Sequence, residues 1–318
     1  DLVARAGVLL TNLPVREWSS YERLSARRPD LIMAVITGNP DGTTAVDYTV
    51  NAAVGIPFLT GPEGHDGPVN HVLPAWDALT GYAVATAIVA AELHRVRTGE
   101  GQLITLSLMD VALSTVGHLG LIGEAQLAEP RGRYGNDVYG TFAHDFRTSD
   151  GRSVIVVALT PRQWASLVAA TGIADAVAAL ERRLGIDLRR EGDRFRARRE
   201  ITALLAPWMA ARPLTEIAAI LDRHEVLWGP YQTVKELVAA DARCTTRNPM
   251  LAEVDQPGIG RYLRATSPIS FGRSPRVAPA RSPRMGEDAD AVLTSWLDLT
   301  PRDVAALQDE GVVGRVTE

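Results

Sequence analysis

Residues 103–111, LITLSLMDV, decide how the rest of the chain reads. Ile104, Leu106 and Leu108 alternate with Thr105 and Ser107, the two-residue period of a half-buried strand. The register breaks at Met109 and Asp110, where ALSTVGHLGLI takes up a helical period. Asp110 is thereby placed at a strand-to-helix junction. A carboxylate there faces the free N–H groups and positive dipole end of the helix, so it stays ionised, and the same N–H groups are placed to hold a developing oxyanion. Capping is the competing account, because Asp is a favoured N-cap residue.

The 318 residues, 46% hydrophobic and 22% charged, are enough for a large core or two domains of a globular enzyme. A net charge of −5 argues against a general polyanion surface, so no nucleic-acid partner is expected and a polyphosphate ligand would have to meet local arginines. Cys244 is the single cysteine, which excludes an intramolecular disulfide and a cysteine zinc cluster and implies a reducing, cytoplasmic setting. No secretory signal opens the sequence, which begins at Asp1 and not at Met. Residues 76–93, WDALTGYAVATAIVAAEL, are the one membrane candidate. Asp77, Gly81 and Glu92 interrupt them and their length is marginal for a span, so they read as a buried core helix and no membrane partner is expected.

Upstream, residues 1–6 read as the end of a helix, 7–11 as a strand, 18–27 as a helix and 31–37 as a strand. Apolar strands alternating with helices give the α/β class with a parallel sheet. The loop TGNPDG at 37–42 follows a strand, where open α/β sheets place ligands. The loop GPEGHDGPVNHVLP at 61–74 is long and polar, a binding loop or a connector. Composition shifts at PRGRYGND, 130–137, where Arg131 and Arg133 between glycines suit a phosphate or a carboxylate, or else form a solvated interdomain linker. Helices follow at 161–171, 201–211, 214–224 and 234–240, with a charged arm at 181–199 whose mixed-sign run RREGDRFRARRE, 189–200, reads as a solvated face.

The series Asp77, Gly81, Arg95, Gly99, Gly101, Gln102 and Asp110 resembles the hallmark of the class III CoA-transferases, in which D-x-x-x-G and R-x-x-x-G-x-G-Q precede a strand ending in a catalytic Asp. That family also contains carnitine and formyl-CoA transferases and α-methylacyl-CoA racemases. Asp47, Asn51 and Gly55 are similar to its D-x-x-x-Q-x-x-x-G segment, with Asn51 standing for Gln. Asn12 corresponds to a CoA-contacting Asn, Leu13 replaces the aromatic beside it, and Arg16 is a further CoA candidate on a shortened connection. Residues 225–230, EVLWGP, resemble a G-V-P-x-G-P turn, with Glu225 and Leu227 departing from it. Residues 247–251 and 254–260 resemble the small domain's closing strands, and 291–296 and 300–307 the last helices.

The resemblance implies a Rossmann-like parallel-sheet large domain plus a smaller α+β domain, in an interlocked homodimer. It divides the chain into a large CoA-binding domain at 1–138, a small domain at 139–265 and a return to the large domain at 266–318. It also implies earlier large-domain strands that this sequence does not contain. Coenzyme A enters as a cosubstrate, with acyl-CoA and carboxylate substrates and with no permanently bound cofactor or metal. The wording around 45–74 resembles the mesaconyl-CoA (2-methylfumaryl-CoA) isomerase branch, whose members shift CoA between the two carboxylates of one acid.

On that resemblance Asp110 is the nucleophile, passing through an aspartyl anhydride and an aspartyl-CoA thioester, and the site must exclude water. The family's glycine lid has no counterpart here, since no run of consecutive glycines is present. Asn51, Arg131 and Arg133 join Asn12 and Arg16 as the CoA-binding candidates, and Asn51, Arg131, Arg133 and His71 are candidates for a second carboxylate. Racemisation is the alternative reaction, but the racemase branch has a His where this chain has Val46, and a hydrocarbon carries no proton. His65 and His71 are the nearby substitutes in sequence. An idle CoA-binding or scaffold chain, with Asp110 only a cap, is the third reading.

Overall fold

A computed structural model describes residues 1–314. The last four residues of the expected 266–318 segment lie outside the described residues. The protein is a mixed α/β chain that divides into two compact units, one of residues 1–9, 17–31 and 232 onward, the other of residues 10–16 and 32–231.

The second unit holds most of the apolar interior. Strands β1 (Val8–Thr11), β2 (Ile32–Thr37) and β3 (Gln102–Ser107) make a sheet in the order β1-β2-β3. β2 and β3 run parallel, with Ile32 opposite Gln102 and Thr37 opposite Ser107. Parallel neighbours need a crossover, and the chain between them supplies helices Asp47–Ala53 and Ala75–Thr98. Ile32, Met33 and Ala34 on β2 are fully buried, as a central strand requires, whereas Leu103 on β3 is 42% exposed.

Helix Ala75–Thr98 ends as its sequence dictates. Gly99 takes φ +79° and its N–H closes on the Arg95 carbonyl. Its burial differs from the core helix expected. Only Trp76, Thr80, Val84 and Ala91 are buried, while Tyr82, Val89, Leu93 and Val96 are exposed. Apolar residues lie all round this helix, and the sheet takes one side of it.

Beyond residue 140 a second sheet begins. β4 (Phe142–Arg147) and β5 (Ser153–Ala158) form the antiparallel hairpin expected around Gly151, and β6 (Leu227–Pro230) pairs with β5. The 225–230 turn is therefore the entry to a strand. Glu225, at the position where the family pattern has Gly, adopts φ +54°, a left-handed conformation unusual for a residue with a Cβ. Phe142, Val154, Val156, Leu167, Ile201, Leu205, Ile217 and Leu221 form one closed core with Trp164.

The charged run 189–200 is not the solvated face expected. Arg194 is completely buried; its guanidinium donates to the carbonyls of Leu188 and Arg189 at 2.9 Å each and to that of Leu159. Burial pushes its pKa down from the ordinary arginine value. A cation can be buried there because three backbone acceptors replace water.

In the first unit, β7 (Leu251–Gln256) and β8 (Gly260–Ala265) form a hairpin turning at 257–259, later than the strands expected at 247–251 and 254–260. Helix Tyr21–Arg27 also begins later than expected. Residues Glu17–Ser19 make a 3-10 turn, and the Ser20 hydroxyl caps the helix by accepting from Arg23 N–H. Arg28 closes helix Leu2–Ala6 by donating to the carbonyls of Ala4 and Arg5. No single helix among the described residues is long and apolar enough to cross a membrane.

Candidate active site

Asp110 lies two residues inside helix Leu108–His118, because β3 ends at Ser107 and Ser107 is the cap. The strand alternation runs one residue further in sequence than the strand does in space. The buried Ser107 hydroxyl accepts from Asp110 N–H at 3.0 Å and donates to Asp110 Oδ2 at 2.8 Å. This Ser-x-x-Asp spacing is a helix-start signature, and it was readable in the sequence. It holds one carboxylate oxygen and leaves Oδ1 without a protein partner among the described residues.

The oxyanion role expected of the helix N–H groups is not open at two of them. Met109 N–H donates to the Gly38 carbonyl at 3.1 Å, and Asp110 N–H is taken by Ser107. Gly38 has to be glycine, since a Cβ there would sit 2.0 Å from Ala45 N. The loop after β2 thus closes against the start of the Asp110 helix, and its turn formers serve that approach.

Asp110 lines a cleft of about 440 Å³ with Leu79 and Ala83 of helix Ala75–Thr98, Leu106 at the end of β3, and Val111, Ser114 and Thr115 of its own helix. The wall helix is anchored by Asp47 and Asn51. Buried Asp47 accepts from Trp76 N–H at 2.7 Å and Asp77 N–H at 3.1 Å, which caps that helix with a carboxylate. Fully buried Asn51 accepts from Trp76 Nε1 at 3.3 Å and donates to Asn70. Trp76 then packs on Leu108 and Ala112, so the cap of one helix bears on the placement of the other.

The remaining candidates fall elsewhere. Arg131 binds Glu124 through Nε at 2.8 Å and lies 3.8 Å over the Tyr139 ring; the pairing raises its own pKa and holds the Glu124 carboxyl below its usual range. These two residues border a separate, mostly apolar cavity of about 400 Å³ with Val54, Phe58, Leu59 and Ile122. Arg133 is buried and donates to the carbonyls of Pro57, Phe58, His65 and Gly67, so its guanidinium clamps the loop before helix Ala75–Thr98. His71 Nδ1 lies 2.7 Å from the Leu73 carbonyl, and its ring meets Trp76 edge-on. Asn12 and Arg16 are exposed in the segment after β1. Val46 is 55% exposed and immediately precedes the helix carrying Asp47 and Asn51. The structure therefore brings Leu79, Ala83 and Ser114 to Asp110, none of which the sequence singled out, and leaves the two arginines in other bonds.

The sequence model of CoA-transferase family III matches residues 1–289. The 2-methylfumaryl-CoA isomerase of Chloroflexus aurantiacus is 50% identical over 309 residues, 97% of this chain and 76% of that protein. The succinyl-CoA:mesaconate CoA-transferase of Haloarcula marismortui is 30% identical, across 92% of this chain and 74% of its own length. Among solved structures, a CAIB/BAIF family protein from Brucella suis superposes with a TM-score of 0.72 at 25% identity, covering 93% of this chain and 78% of that one.

Proposed function

This chain belongs to CoA-transferase family III, and from that premise we propose that it moves CoA through Asp110 between the two carboxylates of one short dicarboxylic acid, as mesaconyl-CoA C1-to-C4 transfer. The observation that carries the reading is the state of the Asp110 carboxylate: Oδ2 is fixed by Ser107 and Oδ1 is left unbonded in a cleft with apolar walls. An oxygen anion so held keeps its direction and is not exhausted by hydrogen bonds, as a nucleophile requires.

The steps follow from carboxylate chemistry. Asp110 attacks the thioester carbonyl, forming a mixed anhydride and releasing CoA thiolate. The thiolate attacks the aspartyl carbonyl of that anhydride, giving an aspartyl-CoA thioester and a free carboxylate. The acid's other carboxylate then displaces the thiolate to form a second anhydride. The thiolate closes the cycle by taking that acyl carbonyl and restoring Asp110. Each bond broken is matched by one of similar energy, so no ATP is consumed. Anhydrides hydrolyse, so water has to be kept out.

Exclusion of water is assigned to an interlocked homodimer. The exposed apolar face of helix Ala75–Thr98, with Tyr82, Val89, Leu93 and Val96, supports it. In that assembly residues 1–138 and 266–318 form the large domain and 139–265 the small one. Asn12 and Arg16 are the candidates for the CoA nucleotide, with Asn51, Arg131 and Arg133 fixing the surrounding loops. A cytoplasmic setting fits the single cysteine. Racemisation is disfavoured, since Val46 offers no base.

The test is mass spectrometry after incubation with dicarboxylyl-CoA thioesters and hydroxylamine, which turns an activated aspartyl group into a hydroxamate. A hydroxamate at Asp110, and an Asp110→Asn variant at least about 10³-fold slower in transfer, are expected. Full transfer by Asp110→Ala would sink the reading.

A further inference from the structure

Along helix Leu108–His118 the residues Asp110, Ser114 and His118 follow one another at i, i+4 and i+8, so they share one face at about 6 Å per step. Ser114 lines the same cleft as Asp110, and its Oγ lies 3.5 Å from His118 Nδ1. The neighbouring hydroxyl, on Thr115, is turned back onto its own helix and donates to the Val111 carbonyl at 2.8 Å. Ser114 is thus a cleft hydroxyl not turned onto the backbone, and with His118 donating to its Oγ the Ser114 O–H is left for a ligand beside Asp110, directed by the imidazole.

We propose that Ser114 and His118 form the subsite for the free carboxylate of a dicarboxylyl group whose other carboxyl carbon is bonded to Asp110. The inference rests on the transferase reading of Asp110 and names the residues that receive the second carboxylate of its substrate. Before that bond forms, a free carboxylate brought beside the Asp110 carboxylate is repelled unless donors receive it. The arginines that sequence offered for this are occupied, Arg131 by Glu124 and Arg133 by four carbonyls, and Asn51 is held between Trp76 and Asn70. Length agrees as well. Three C–C bonds of about 1.5 Å separate the carboxyl carbons of a four-carbon dicarboxylic acid by about 4 Å, and adding one hydrogen bond spans a single helical turn. A monocarboxylyl chain of equal length puts a methyl group against the Ser114 hydroxyl and leaves that donor without its acceptor.

The experiment compares succinyl-CoA with butyryl-CoA, equal in chain length and differing in the terminal carboxylate, by the rate of Asp110 hydroxamate formation in the full chain. Wild-type protein should favour succinyl-CoA. In Ser114→Ala/His118→Gln the succinyl-to-butyryl rate ratio should fall about 10- to 100-fold, the size expected for lost hydrogen bonds to a charged group. Ser114→Thr, which keeps a hydroxyl, should retain most of the preference. Because the readout is a ratio within one protein sample, general loss of folding does not imitate it. A wild-type ratio in the double variant overturns the subsite and leaves CoA transfer standing. No hydroxamate at Asp110 from either thioester in wild-type protein overturns the transferase reading, and the subsite with it.

Discussion

Helix Arg198–Ala210 buries Ile201, Leu205 and Met209 completely, whereas helix Ala75–Thr98, 24 residues against 13 and likewise rich in apolar residues, leaves Tyr82, Val89, Leu93 and Val96 in the open. The first helix packs on the β4-β5-β6 sheet in a core that closes around Phe142, Leu167 and Ile217. The second lies against a sheet whose β3 presents Leu103 to solvent, and the buried cluster under it is small, built on Val50, Trp76, Leu108, Ala112 and Val116. The part without the nucleophile closes most of its apolar residues into one core, while the layer carrying Asp110 leaves a whole helix face of them exposed. Association rests on such surface, and chemistry that must exclude water gains from being located beside it.

The contrast can be broken by mutation. Leu205→Ala should cost about 2–5 kcal/mol in urea unfolding, because a closed core cannot collapse around the lost atoms. Asp47→Ala should cost about 1–2 kcal/mol by uncapping helix Ala75–Thr98. Asp47→Asn should cost less, since an amide oxygen still accepts from Trp76 and Asp77, and its NH₂ replaces a buried carboxylate oxygen that has no partner. Equal losses for the two variants would show that charge, and not acceptance, holds the cap. Smallest in stability is Tyr82→Ser/Val89→Ser, under about 0.5 kcal/mol if the face is solvated. Its effect should appear instead in sedimentation, as a shift from dimer to monomer; an unchanged mass would mean that these residues face no second subunit.

Much of the first sheet was legible because its cues are local. Leu31 to Ile36 is a continuous apolar run, and Gly99 takes the left-handed conformation that stops a long helix. Asp110 was legible as a junction residue, but its neighbours were not. Leu79 and Ala83 come from 27 or more residues away, and no periodicity announces which face of an apolar helix will line a cleft. The arginines misled for the opposite reason. Sequence shows that Arg133 and Arg194 carry charge, but backbone carbonyls, which absorb both, have no letter in a sequence. Ser107 was readable by its spacing to Asp110, yet the alternation of 104–108 disguised the end of the strand.

The Arg133 clamp bears on how this family member could change over time. The hydrogen bonds by which the guanidinium grips residues 57–67 all go to carbonyl oxygens, and every amino acid supplies the same carbonyl. Side chains at 65 and 66 can therefore be exchanged without losing these bonds to the loop. One cation bonded only to main-chain oxygens gives its neighbours latitude to vary while the backbone of the loop stays in place.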